Sequence, residues 1–245
     1  MNQASPSYRV LLIIPCFNEQ GAIAALLDEI TVLGAGYATV VIDDGSGDRT
    51  GEIACQLSPT VRLLTNLGIG GAVQTGIKYA NRNGFDFCVQ IDGDGQHPPA
   101  EVGKLLQAYY QAPRSVIIGS RYLANDSFRS TFARRFGSRT IAWSLNRLFA
   151  RCRVTDPTSG MRLMDRSAIA LFASRYPHDF PEPISLAWAL KAGLSVGECE
   201  VQMRAREHGS SSIVGLRPLA YMFRVLGYIL LARLSHGARP RQIPS

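Results

Sequence analysis

Short, unbroken apolar runs alternate with segments of helical period through the first half of this 245-residue chain. Arg9 to Cys16 (RVLLIIPC) is rich in Leu and Ile, which predicts a strand buried on both faces. Ile23, Leu26, Leu27 and Ile30 then recur at helical spacing. A second strand is expected over Ala38 to Ile42, followed by a helix after Gly47-Asp48 with Asp48 as its N-cap. Val61 to Leu64 reads as a third strand and Ile69 to Asn81 as a third helix. Phe85 to Ile91 is a fourth strand, Pro98-Pro99 opens a helix as first turns tolerate, and Ser115 to Ile118 is a fifth strand.

Repeated strand–helix units with continuous apolar strands predict an α/β fold on a mostly parallel central sheet covered on both faces. Such sheets bind ligands outside the carboxyl ends of their strands. Asn18-Glu19, Asp43-Asp44 and Asp92-Gly93-Asp94 each follow a predicted strand end, so all three polar clusters should converge on one edge.

The pattern changes after Tyr122. Residues from about 130 to 150 form a basic amphipathic helix carrying Trp143, Leu145 and Leu148, and DPTSG at 156–160 is a turn by composition. A strand near Met161 to Met164, a helix near Ser167 to Ala173, a helix after Pro181 and Pro183, and a strand over Val196 to Val201 complete the pattern. Leu216 to Leu234 is a largely apolar helix interrupted by Arg217, Arg224 and Arg233. Residues 1–213 are therefore expected to form one catalytic domain, and 214–245 an amphipathic appendage that associates with a membrane or with another copy.

Charge adds a direction. The 26 Lys+Arg exceed the 19 Asp+Glu, and the excess gathers in the second half at Arg129, Arg134, Arg135, Arg139, Arg147, Arg151 and Arg153. Such a surface favours polyanions, whether nucleic acid, anionic lipid headgroups or phosphorylated substrates. Five scattered cysteines without a C-x-x-C pair indicate a reducing compartment and no structural zinc. The first residues lack the build of a signal peptide, and no stretch reaches the roughly 18 apolar residues of a spanning helix, so a soluble or peripheral protein is expected.

Asp92-Gly93-Asp94 is the sharpest candidate site. Two carboxylates on a turn leaving a buried strand can hold a hard divalent cation together with a diphosphate, although the same triplet also serves as a plain solvated turn. At Asp43-Asp44, one carboxylate could meet a base or ribose while the other caps a helix; Glu19 could reach ribose hydroxyls, or Asn18-Glu19 could simply start a helix. Asn66, Gly68, Gly70, Gly71 and Gly76 make a glycine-rich helix entry that is neither G-x-G-x-x-G nor a P-loop, and helix–sheet packing is its expected role. No Ser-His-Asp or Cys-His arrangement stands out.

Taken together, IIPCFNE at 13–19, VIDDGSGDRT at 41–50, NLGIGGAVQTG at 66–76, DGDGQHPP at 92–99, GSRY at 119–122, DPTSGMR at 156–162 and REHGSS at 206–211 resemble family 2 glycosyltransferases. The resemblance is to the branch of dolichol-phosphate or polyprenyl-phosphate sugar synthases, in order and spacing, over residues 9 to 213. It implies a Rossmann-like nucleotide-sugar-binding fold of the GT-A type and inversion at the anomeric carbon. It implies that Pro15, Phe17, Glu19 and Asp43 line the nucleoside site with Asp44 nearby, and that Asp92 and Asp94 bind Mg²⁺ or Mn²⁺ and the diphosphate with Gln96 beside the metal. Arg121 would meet phosphate, and Arg134, Ser138 and Arg206 would handle the phosphates of donor and lipid acceptor. Two departures stand out: Ser211 is followed by Ser212 where the family often has lysine, and the paired transmembrane hairpin of many bacterial members is missing.

The expected activity is transfer of a sugar from a nucleotide-diphosphate sugar to a lipid-linked acceptor, polyprenyl phosphate first. A phosphate acceptor needs no general base; a hydroxyl on a lipid-linked saccharide or polysaccharide precursor does, and Glu182 is the candidate with Asp179 in reserve. A non-catalytic nucleotide-sugar-binding subunit is the alternative of a different class. The expected partners are the donor, the lipid-linked acceptor, an anionic membrane surface and a second copy of the chain, but not nucleic acid. The expected place is the cytoplasm, on the inner face of the cytoplasmic membrane.

Overall fold

The computed structural model describes residues 8–123, 132–150, 152–204 and 217–234; for 132–134 and 217–220 only the backbone is described. The sheet has seven strands in the order β3-β2-β1-β4-β6-β5-β7. They are β1 (Val10–Cys16), β2 (Ala38–Asp43), β3 (Thr60–Arg62), β4 (Phe87–Gln90), β5 (Val116–Ser120), β6 (Arg162–Asp165) and β7 (Val196–Glu200). The helices are α1 (Ile23–Leu33), α2 (Thr50–Leu57), α3 (Gly68–Arg82), α4 (Val102–Gln111), α5 (Phe132–Leu148), α6 (Arg166–Ser174), α7 (Pro181–Lys191) and α8 (Arg217–Leu234). Pro99–Glu101 forms a 3-10 turn ahead of α4, so the Pro-Pro start expected from sequence is present but tighter than an α-turn.

Every residue of β1 is buried, as the unbroken apolar run requires of a strand covered on both faces. Alternate residues face opposite layers: Leu11 and Ile13 join the core under α3, α6 and α7, while Leu12 and Ile14 join the core under α1 and α4. On the first side the helix lies close to the sheet because α3 places a glycine there. A Cβ added at Gly76 would fall 2.2 Å from the Ile13 Cγ2, so the glycine-rich segment packs helix on sheet, as expected from sequence.

The sheet is parallel except at β6, which runs antiparallel to both β4 and β5. Its insertion has a direct consequence for chemistry. A strand running the other way begins, rather than ends, at the carboxyl edge, so the turn that leads into it lies beside the end of β4. The register pairs Gln90 with Arg162 across that junction.

Asp48 does not cap α2 in the expected way. The helix starts at Thr50 behind Arg49, and Asp48 instead accepts the Thr50 N–H at 2.9 Å as a turn brace. The difference arises because Asp48 also accepts the Gln20 N–H at 3.3 Å and so ties two loops together.

Candidate active site

The β1–α1 and β2–α2 loops are held as one body. Asn18 N–H donates to Ser46 Oγ at 3.0 Å, Gly47 N–H donates to Asn18 Oδ1 at 2.9 Å, and Glu19 N–H donates to Thr50 Oγ1 at 2.8 Å. Asn18 adopts a left-handed φ of 56°, a conformation asparagine tolerates better than most residues. The effect is to set Phe17, 46% exposed, and Glu19 at the mouth of a cleft over the sheet edge.

That cleft has a volume of about 540 Å³. Pro15, Cys16, Phe17, Glu19, Asp44, Asn66, Gly68, Ile69, Ala72, Asp92, Gly93, Asp94 and Glu182 line it. The carboxylates arrive from separate elements: Glu19 after β1, Asp44 after β2, Asp92 and Asp94 after β4, and Glu182 from the first turn of α7. The convergence expected from strand ends is therefore present. Cys16 sits beneath them with its thiol pushed well up, by burial first and then by Glu19, Asp43, Asp92 and Asp94, so it stays protonated and is no nucleophile.

Asp92 is held from several sides. Its backbone N–H donates to His97 Nδ1 at 3.0 Å, and its Oδ1 accepts from Gln90 Nε2 at 3.2 Å. The turn before β6 presses on the same carboxylate, since a Cβ added at Gly160 would fall 2.7 Å from Asp92 Oδ2. His97 is fully buried, a structural residue under the turn. Asp94 Oδ1 accepts the Gln96 N–H at 3.0 Å.

Two hard carboxylates on one turn suit Mg²⁺ or Mn²⁺, which take oxygen ligands. Among the described residues no group of three His, Cys, Asp or Glu side chains could close a metal cage. A cation held by Asp92 and Asp94 would need its remaining ligands from other oxygens, such as those of a bound phosphate or water.

Asp44 is 3% exposed, and burial raises its carboxyl above the ordinary range against the opposing bond from the Leu67 N–H at 2.8 Å. Glu182 is raised as well, first by burial, with Arg162 pulling it back down. Phe180 precedes it at a left-handed φ of 49° and packs edge-on against Tyr221 of α8, ring centres 4.6 Å apart.

Other expected site residues do not line the cleft. Asp43 is fully buried, accepting the Ser46 N–H at 3.0 Å and pairing with Arg62 at 2.8 Å; it supports the β2–α2 loop and does not line the cleft. Arg121 grips Asp156 in a bidentate pair at 2.6 and 2.7 Å and reaches Thr158 Oγ1 at 3.0 Å. Burial opposes its charge, and the Asp156 contacts outweigh that and hold the guanidinium charged. Gln96 uses its backbone carbonyl to accept from Arg204 N–H at 3.0 Å, and Ser138 is buried on α5. The side chain of Arg134, together with Arg206, Ser211 and Ser212, lies outside the described residues.

Sequence reasoning passed over Arg162, Asp156 and Glu198. Glu198 accepts the N–H groups of Thr155 and Asp156, each at 2.8 Å, and so fixes the start of the turn before β6. The sequence marks DPTSG as a turn and DPTSGMR as part of the resemblance. The signal that could have found these groups is an arginine at the head of an otherwise apolar strand, where a buried charge needs partners.

Comparison with known proteins follows this geometry. Residues 11–172 match the family model described as Glycosyl transferase family 2. A polyprenol monophosphomannose synthase of Mycolicibacterium smegmatis is 28% identical over 239 residues, covering 94% of this chain and 90% of that one. A UDP-N-acetylglucosamine–dolichyl-phosphate N-acetylglucosaminyltransferase of Methanococcus voltae is 26% identical, covering 85% of this chain and 92% of that one. Among solved structures, glucosyl-3-phosphoglycerate synthase of Mycobacterium tuberculosis with Mn²⁺, UDP and phosphoglyceric acid superposes with a TM-score of 0.69 at 19% identity, covering 94% of this chain and 80% of that one. The fold is thus the GT-A type expected from sequence.

Proposed function

Because the chain belongs to glycosyl transferase family 2, and is therefore a glycosyltransferase, we propose that it moves a sugar from a nucleotide-diphosphate sugar to a polyprenyl-type phosphate at a membrane surface. The observation that carries this reading is the convergence of Glu19, Asp44, Asp92, Asp94 and Glu182 on one cleft at the carboxyl edge of the sheet. The names of the two relatives, both enzymes of polyprenol or dolichyl phosphate, support the acceptor class.

In this reading Phe17, Glu19 and Asp44, over Pro15, receive the nucleoside, and Asp43 holds the loop beneath it. Asp92 and Asp94 would hold Mg²⁺ or Mn²⁺, which when bound neutralises charge on the leaving diphosphate. Transfer is a single inverting displacement: an acceptor oxygen forms a bond to the anomeric carbon as the bond to the diphosphate breaks, and the diphosphate leaves with the electron pair. Asp94 and Asp92 keep the diphosphate oriented while the cleft walls, Ile69 and Ala72 among them, limit water. Arg206, Arg134 and Ser138 are the groups proposed for the acceptor and donor phosphates, and Arg121 acts behind them by fixing Asp156. A phosphate acceptor is already an anion and needs no base.

A second reading has its own support. Glu182 lines the cleft with a carboxyl raised by burial, which makes its ionised form a stronger base. In that reading the acceptor is a hydroxyl of a lipid-linked saccharide, and Glu182 takes its proton. The chain works as a peripheral protein on the inner face of the cytoplasmic membrane, with residues 214–245 contributing contact to lipid or to a second copy.

The test is transfer of labelled sugar from UDP-, GDP- and dTDP-sugars to polyprenyl phosphate or to a lipid-linked saccharide extract, with Mn²⁺ or with EDTA. Metal-dependent product on polyprenyl phosphate is expected. Product with the extract alone would move the assignment to the second reading, and no product with any donor would favour a non-catalytic binding subunit.

A further inference from the structure

Arg162 heads β6 with 2% of its surface exposed, and its guanidinium donates to neutral oxygens only: Ser159 O at 2.8 Å, Pro157 O at 2.7 Å, Glu182 O at 2.6 Å and Ser185 Oγ at 3.0 Å. No carboxylate pairs with it directly among the described residues. A buried charge of this kind is expensive and persists only where its hydrogen bonds are complete. Its four acceptors fall into two groups. Pro157 and Ser159 belong to the turn whose Gly160 lies against the Asp92 carboxylate, and Glu182 and Ser185 belong to the first turns of α7. One planar side chain therefore joins the two segments that carry or press on carboxylates of the cleft.

We propose that Arg162 is the positioning residue of the site, a strut that fixes the turn backing Asp92 relative to the helix turn carrying Glu182. The proposal rests on the transferase reading above. Lysine keeps the charge but places its three donors on one atom, so it does not span both groups of acceptors. Displacement of a positioned group by about 1 Å costs on the order of 100-fold in rate. In Arg162→Lys, kcat is expected to fall about 100-fold with donor KM within about threefold of wild type. Ser185→Ala, which cuts one of the four bonds, is expected to fall about tenfold, and Arg166→Lys, altering an exposed pair with Asp86 on the far side of β6, is expected to leave both constants unchanged.

Hydrogen exchange supplies a reading independent of turnover. The amides of Ser159, bonded to Asp156 O, and of Ile184, bonded to Phe180 O, together with that of Ser185 in α7, are expected to lose protection in both site variants while those of β1, β2 and β4 keep theirs. An unchanged kcat per folded molecule, or a loss of protection spread evenly over the sheet, would overturn the proposal. Should Arg162→Lys fail to fold, Ser185→Ala carries the same two measurements. If wild type transfers no sugar, the transferase reading fails on its own, and exchange alone decides: local loss supports the strut, uniform loss overturns it.

Discussion

At the scale of single residues, Glu182 is where the two proposed acceptor chemistries make different predictions. Burial raises its carboxyl, so the folded chain holds that proton more tightly than the unfolded one. The stability this lends is present below the ordinary glutamate range and lost as pH rises through the raised folded value. Glu182→Gln should therefore be as stable as wild type or more so at pH 8, measured by thermal unfolding. If the acceptor is a hydroxyl, activity rises with pH along a limb lying above the ordinary glutamate range, and the variant loses both the limb and the turnover. If the acceptor is a phosphate, the variant retains turnover. Asp94→Asn tests the other half of the cleft. With five carboxylates facing it, the cleft repels a free diphosphate, so binding of UDP or GDP should require Mn²⁺ and weaken by at least about tenfold in the variant, read by calorimetry. Equal binding with EDTA present would remove the metal from the reading. Asp43 and Arg121 each carry a structural contact that their sequence neighbourhood does not announce. Both stand at strand ends where ligands are expected, yet Arg62 and Asp156, distant in sequence, take up their charges.

At the scale of elements, β1, β2, β4 and β5 were legible as largely apolar runs and α1, α3 and α4 by apolar residues at i, i+3 and i+4, whereas β3, expected over Val61 to Leu64, is the short edge strand Thr60–Arg62 with little burial to mark it. Direction was not legible. RLMD is too short to announce its sense, and the antiparallel course of β6 follows from its fit between β4 and β5, a tertiary fact. With that direction hidden, the place of the 156–160 turn beside Asp92 was hidden too, and with it the Arg162 bonds that join this turn to α7. Glycines mark where elements touch. Gly76→Ala would drive a methyl into Ile13 on the fully buried β1, and overpacking of this kind costs about 1–3 kcal/mol. A matching drop in urea midpoint with an unchanged slope is expected, whereas an unaltered midpoint would mean that α3 can shift off β1. Gly160→Ala contrasts with it: the added methyl meets the Asp92 carboxylate and not the core, so transfer should fall far more than stability.

At the scale of the whole molecule, the cleft and the basic helices are joined through α7. Tyr221 of α8 packs edge-on to Phe180, the residue that starts α7 just before Glu182. The inner face of α8 buries Val225, Ile229 and Ala232, at helical spacing. Its outer face leaves Phe223, Leu230, Leu231 and Leu234 exposed beside Arg224, and α5 exposes Phe136 and Trp143 along the stripe that carries Arg139 and Arg147. No described helix is long and apolar enough to cross a membrane. Apolar side chains flanked by arginines suit a helix lying in the headgroup layer, where the arginines reach the phosphates. The chain should therefore float with vesicles containing anionic lipid and do so less as salt rises. Phe223→Ser with Leu231→Ser should abolish flotation without lowering the unfolding temperature, because both side chains are already in water. Flotation kept by the double variant would rule out this face. Loss of self-association by the same variant in sedimentation, with no vesicle binding by wild type, would assign the face to a second copy of the chain instead.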